Sequence, residues 1–246
     1  MGMRARVAVL IVAALAGVAA CGTSQPSRAP DATSSLASAL PSVIPSERAP
    51  SLDARSFPTV TGQVLAAGRY ASSPPFDIRF TFEVPATGWE SMHLHGEFFD
   101  IGQFETDARP ANPIRWIAWG HPQLIYGATE VAVRDLTRDE VIGLLTARDD
   151  LTASEPEPFT FAGTDGARVD LHAMASNTRL FGGQAGDFGL EPTLDARLGL
   201  VVVNNDLLVV MVLAPPRELE AAWQEAQPIL TSVELDYGTL ETPHSP

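Results

Sequence analysis

The chain contains no lysine and a single cysteine in 246 residues. One cysteine excludes an intramolecular disulfide and any multi-thiolate metal site. Sixteen arginines stand against thirty acidic residues, for a formal net charge of −14. That balance excludes the basic stripe with which a nucleic-acid binder neutralises phosphate. Without lysine there is neither a P-loop nor a protein-kinase active site, so Asp187-Phe188-Gly189 is a kinase tripeptide in letters only. No Gly-x-Ser-x-Gly is present, and the acid pairs Asp149-Asp150 and Glu155-Glu157 read as solvated groups at a helix end and a strand entry. The N-terminal apolar run, Val7–Ala20, has fourteen residues. A bilayer-spanning helix needs about 20.

Arg4 and Arg6 precede that run, no acid accompanies them, and small residues follow it, which is the order of a secretory signal peptide. Val18-Ala19-Ala20-Cys21-Gly22 resembles the bacterial lipobox. The resemblance implies diacylglyceryl transfer to the Cys21 sulfur, cleavage before Cys21, and a mature protein lipid-anchored on the extracytoplasmic face of the cell membrane. Residues 1–20 are then the signal peptide, and 21–57 the lipidated Cys21 with a tether. Residues 22–57 hold nine Ser, six Ala and five Pro, too little apolar surface to offset the entropy of ordering. Residues 58–238 are expected to form a single globular domain, and 239–246 a flexible tail. From residue 58 onward eleven Arg face twenty-seven acids, an excess that reads as a solubility surface.

Asp77 to Val84 alternates apolar and polar residues, as a half-buried strand does. Trp89–Ile101, Ile114–Trp119, Thr129–Val133, Phe159–Phe161 and Ala167–Met174 read as further strands. Thr137 with Glu140 predicts a capping box, opening a helix whose stripe is Val141, Leu144 and Leu145. Arg148 continues that face, its stem packed and its charge in water. Leu198–Val203 and Leu207–Leu213 flank Asn204-Asn205-Asp206, a hairpin signal. Pro215-Pro216 precede a helix striped by Leu219, Ala222, Trp223, Ala226 and Leu230, and Ser232–Tyr237 closes as a strand. The class is α+β, a largely antiparallel β-sheet covered by two main helices.

Pro75-Phe76 leading into Phe80-Thr81-Phe82, then Gly88-Trp89, Glu140–Leu145, Val169-Asp170 and Ile229–Val233 together resemble the PsbP-like lipoproteins of actinobacteria, the LpqN type. The resemblance implies an α/β/α sandwich and no catalytic set. It leaves Asn177–Leu190 unexplained, a Gly-rich insertion carrying Leu180, Phe181, Phe188 and Leu190. We expect this insertion to be an ordered loop packed on the sheet. It joins Trp116, Trp119 and His121 in a candidate ligand or partner edge comprising also Asn177, Arg179, Phe181, Asp187 and Phe188. Trp116 and Trp119, three apart, cannot share a face of a regular strand.

His93, His95 and Glu97 fall on one face of an extended segment and are candidate zinc ligands. The reading is therefore a non-enzymatic, lipid-anchored binding or accessory lipoprotein of the cell envelope, with no cofactor and no nucleic acid. Its partners are the membrane, through the lipid, and an unidentified envelope protein or small molecule. The alternatives are a metal-dependent hydrolase using His93, His95 and Glu97, and a structural envelope protein.

Overall fold

The computed structural model describes residues 54–236 except 77, 87, 95–96, 105–114, 185 and 204. The signal peptide, Cys21, the tether to residue 53 and the tail 239–246 lie outside the described residues. The strands are β1 Arg55–Ser56, β2 Gly68–Ala71, β3 Phe80–Val84, β4 Glu90–Leu94, β5 Phe98–Gln103, β6 Arg115–Gly120, β7 Leu124–Tyr126 and β8 Glu130–Ala132. After helix α1, Arg138–Thr146, come β9 Leu151–Ala153, β10 Glu157–Phe161, β11 Thr164–Ala173, β12 Thr178–Gly183, β13 Gly186–Leu190, β14 Asp195–Val203 and β15 Asp206–Ala214. Helix α2, Leu219–Thr231, and the short β16, Glu234–Leu235, complete the order.

The central sheet runs β10-β11-β14-β15-β6-β5-β4, with β9 on the end of β11. Its pairs are antiparallel; the parallel pair is β1 with β2 in a smaller sheet, β1-β2-β3-β16. A third sheet is β13-β12-β7-β8. β14 and β15 are buried on both faces, which is why their apolar runs do not alternate. Leu208, Val210 and Val212 point into one core with α2 and the sheet of β1–β3. Leu207, Val209, Met211 and Leu213 point into the other, with α1 and the sheet of β7, β12 and β13. The fold is thus α+β and largely antiparallel, as expected, but each helix shares its face of the central sheet with a small β-sheet.

The local signals at several termini are realised. Thr137 Oγ1 accepts from the Glu140 N–H, and the Thr137 N–H donates to the Glu140 carboxylate. Val203 pairs with Asp206, leaving a two-residue turn in which Asn205 has φ +69°. α2 buries Leu219, Ala222, Trp223, Ala226 and Leu230, with Ile229 added, and carries Pro228 inside the helix.

Other expectations change. The folded part reaches further back than residue 58: Arg55-Ser56 pair with Tyr70-Ala71, and Phe57 is buried against Phe99 with ring centroids 4.2 Å apart. In α1 the buried residues are Val141, Ile142 and Leu145, while Leu144 is half-buried. A helix lying under both a sheet edge and a turn buries a wider stripe than the 3–4 spacing marked. The segment Asn177–Leu190 is not a loop but the hairpin β12–β13, which packs Leu180, Phe181 and Leu190 to zero exposure.

Candidate functional site

A polar cleft of about 290 Å³ opens where three connections meet. One wall is the β7–β8 turn, Tyr126 to Glu130; the second is the segment after α1, with Arg148 and Asp150; the third is the β11–β12 turn, Ala175 to Arg179. The β11–β12 turn is held by Asn177 at φ +56°, which Asn tolerates, and by its N–H donating to Glu191 at 3.1 Å.

Arg148 fixes the three walls together. Its side chain is 8% exposed, so its charge is not in water as the helix stripe implied. Nε and Nη2 donate to the two carboxylate oxygens of Asp150 at 2.7 and 2.6 Å, a bidentate pair. Nη1 donates to the carbonyls of Tyr126 and Arg179, one on each neighbouring wall. The Asp150 carboxyl is held below its usual range, chiefly by the hydrogen bond from Arg148.

Arg179, Tyr126 and Asp187 form the adjoining cluster. The Arg179 guanidinium lies 4.2 Å from the Tyr126 ring centroid, and its Nη1 donates to Asp187 at 3.3 Å. The Tyr126 hydroxyl donates to Asp187 at 2.6 Å. That bond raises the phenol above its ordinary pKa and, with Arg179 adding to it, lowers the Asp187 carboxyl.

The candidate edge is therefore divided by the fold. Asn177, Arg179 and Asp187 come together around Tyr126. Trp116 is half-buried, donates from Nε1 to Asp100 at 3.0 Å, and meets Phe188 with ring centroids 5.7 Å apart. Trp119 projects to the opposite face, as strand parity requires, and is fully buried among Phe80, Phe82 and Phe99. Phe181 is also fully buried, and Phe188 stacks on Phe98. These three side chains are packing: Phe181 and Phe188 fill the space beneath the β12–β13 hairpin, and Trp119 fills the core on the other face of the central sheet. His121 is half-buried elsewhere, with Nε2 3.7 Å from Asp206.

Of the candidate zinc ligands, the His93 side chain lies, like His95, beyond what the structure describes. β4 ends at Leu94, and β5 starts at Phe98, directly after Glu97. His95 lies outside the described residues. Glu97 is buried and accepts from the Gln184 N–H at 2.7 Å and from Gln123 Nε2 at 3.3 Å. A Cβ at Gly183 would stand 2.5 Å from Glu97 Cγ, so glycine there lets this carboxylate lie against β12. Among the described residues, no group of three metal-ligating side chains comes together.

Tyr126, Arg148, Asp150 and Ser176 escaped the sequence reading as site residues. Only the pattern Arg148-x-Asp150 offered a signal: two residues apart just after a helix, they can close a bidentate pair.

No family model matches the chain, and no curated protein matches it. Among solved structures, a protein of Bacteroides thetaiotaomicron VPI-5482 is similar with TM-score 0.37 at 12% identity over 70% of this chain. The chain spans about half of that protein's length, 49%. LpqN of Mycobacterium tuberculosis, involved in cell envelope biogenesis, is similar with TM-score 0.35 at 9% identity over 68% of this chain and 90% of LpqN. The cyanobacterial PsbP of Synechocystis sp. PCC 6803 is similar with TM-score 0.38 at 11% identity over 70% of this chain and 94% of its own.

Proposed function

We propose that this chain is a lipid-anchored, extracytoplasmic accessory lipoprotein of the cell envelope, which recognises a partner or small molecule through the Arg148–Asp150 cleft. What supports the anchor is the lipobox around Cys21, followed by a Ser/Ala/Pro tether. What carries the recognition reading is the pre-paired state of the cleft. Arg148 gives four of its five N–H groups to one carboxylate and two carbonyls, and Arg179 is engaged by Asp187 and Tyr126. Groups locked to one another in this way present a fixed pattern at little ordering cost on binding.

The test is a photo-crosslinking side chain at Asn177 in the full-length, membrane-bound protein. A discrete adduct is expected, which disappears in Arg179→Ala and is absent when the probe sits at Val60, an exposed position outside the cleft. No adduct, or the same adduct from both positions, overturns the assignment of the cleft.

A further inference from the structure

Resting on the cleft as the recognition site, we propose that it takes a neutral, hydroxyl-rich ligand, a sugar ring whose two adjacent hydroxyls donate to Asp150. The first argument is charge. Arg148 and Arg179 are each matched by a carboxylate, and Glu130 adds another at the rim. An anion entering here would have to displace Asp150 or Asp187 while meeting Glu130. An apolar ligand finds apolar surface only at Tyr126, Ala128 and Ala175, the other lining side chains being polar or charged.

The second argument is acceptor geometry. A carboxylate has about four lone-pair sites, and Arg148 occupies one on each oxygen of Asp150. Asp150 remains 44% exposed. It is thus a rigidly held acceptor whose four sites are not filled by Arg148 and its own backbone N–H, and its exposed side faces the O–H donors of a ring in the cleft. Its lowered proton affinity keeps it an acceptor at neutral pH. A volume of about 290 Å³ corresponds to roughly ten water molecules at 30 Å³ each, room for one or two rings.

A free sugar and a glycolipid headgroup present the same diol. The full chain, purified in detergent, is titrated with methyl mannoside, with inorganic phosphate, and with phosphatidylcholine vesicles carrying a neutral glycolipid. Amide shifts at residues 126–130, 148–150 and 175–179 are the readout. Saturable shifts with methyl mannoside, weakened on the order of tenfold or more in Asp150→Asn, are expected. Shifts with the vesicles alone assign the same chemistry to a membrane-held headgroup. Should Asp150→Asn fail to fold, cis-cyclohexane-1,2-diol against cyclohexanol in the unaltered protein replaces it, and only the diol should shift the cleft. Shifts with phosphate but not with sugars, or equal shifts with diol and monool, overturn the proposal. Silence from every probe also overturns it, and a persisting Asn177 adduct would then leave the recognition reading standing.

Discussion

The Tyr126 hydroxyl on β7 reaches the Asp187 carboxylate on β13 across the intervening strand β12, and it does so over Gly182. A Cβ on Gly182 would lie 2.8 Å from Asp187 Oδ1 and 2.9 Å from Tyr126 Oη. Glycine is therefore required at this point by close approach. The bond joins β13 and β7, the two strands that flank β12 in the small sheet, and Arg179 rests on the Tyr126 ring beside it.

Gly182→Ala forces one methyl into occupied space, a change that costs about 1–3 kcal/mol. For a domain of this size the melting temperature should fall by roughly 2–4 °C per kcal/mol. Tyr126→Phe should lower it less while releasing Asp187, whose titration, followed by NMR, should move up toward the ordinary carboxylate range. An unchanged Asp187 titration in Tyr126→Phe would show that the bond does not hold in solution.

Leu145 is fully buried and Leu144 only half-buried beside Gly127. Leu145→Ala should cost about 2–5 kcal/mol, and Leu144→Ala clearly less. Urea melts of the two variants check the order. Equal losses would mean that α1 presents a different face to the sheet.

Stability should fall on the acid side. Glu140, Asp150, Asp187 and Glu220 all have lowered carboxyl pKa values, owing first to Thr137, Arg148, Tyr126 and Gln224 respectively. A lowered folded pKa gives stability that is present above the unfolded value, about 4, and is lost as pH falls through the folded values. Tyr126, raised, acts in the opposite sense: its contribution is present below about 10 and is lost as pH rises through its folded value. Urea midpoints from pH 7 to 3 should decline, and Asp187→Asn should flatten that decline. A midpoint independent of pH would count against these pairs.

Cys21→Ser should release the protein from the membrane fraction, because it removes the only thiol the lipid could occupy. Among the described residues no helix is long and apolar enough to cross a membrane. Complete retention of the variant with membranes would refute the lipid anchor.

The sequence by itself determined what depends on neighbours along the chain. The Thr137–Glu140 box, the Asn turn between β14 and β15, the α2 stripe around Trp223, and the opposed faces of Trp116 and Trp119 are set by spacings of one to four residues. Those spacings fix which groups can meet within one helical turn or one strand. The tertiary structure decided the rest. Residues 177–190 read as a loop because Gly182, Gly183, Gly186 and Gly189 interrupt any strand pattern, yet β12 finds β7 more than fifty residues earlier and the segment becomes a hairpin. Arg148 looked like a solvated end to a helix, and only the meeting of three distant connections turns its guanidinium into the floor of a cleft. Its partners Tyr126 and Arg179 lie 22 and 31 residues away. No local rule links them, because the free energy of that contact exists only once the sheets have packed.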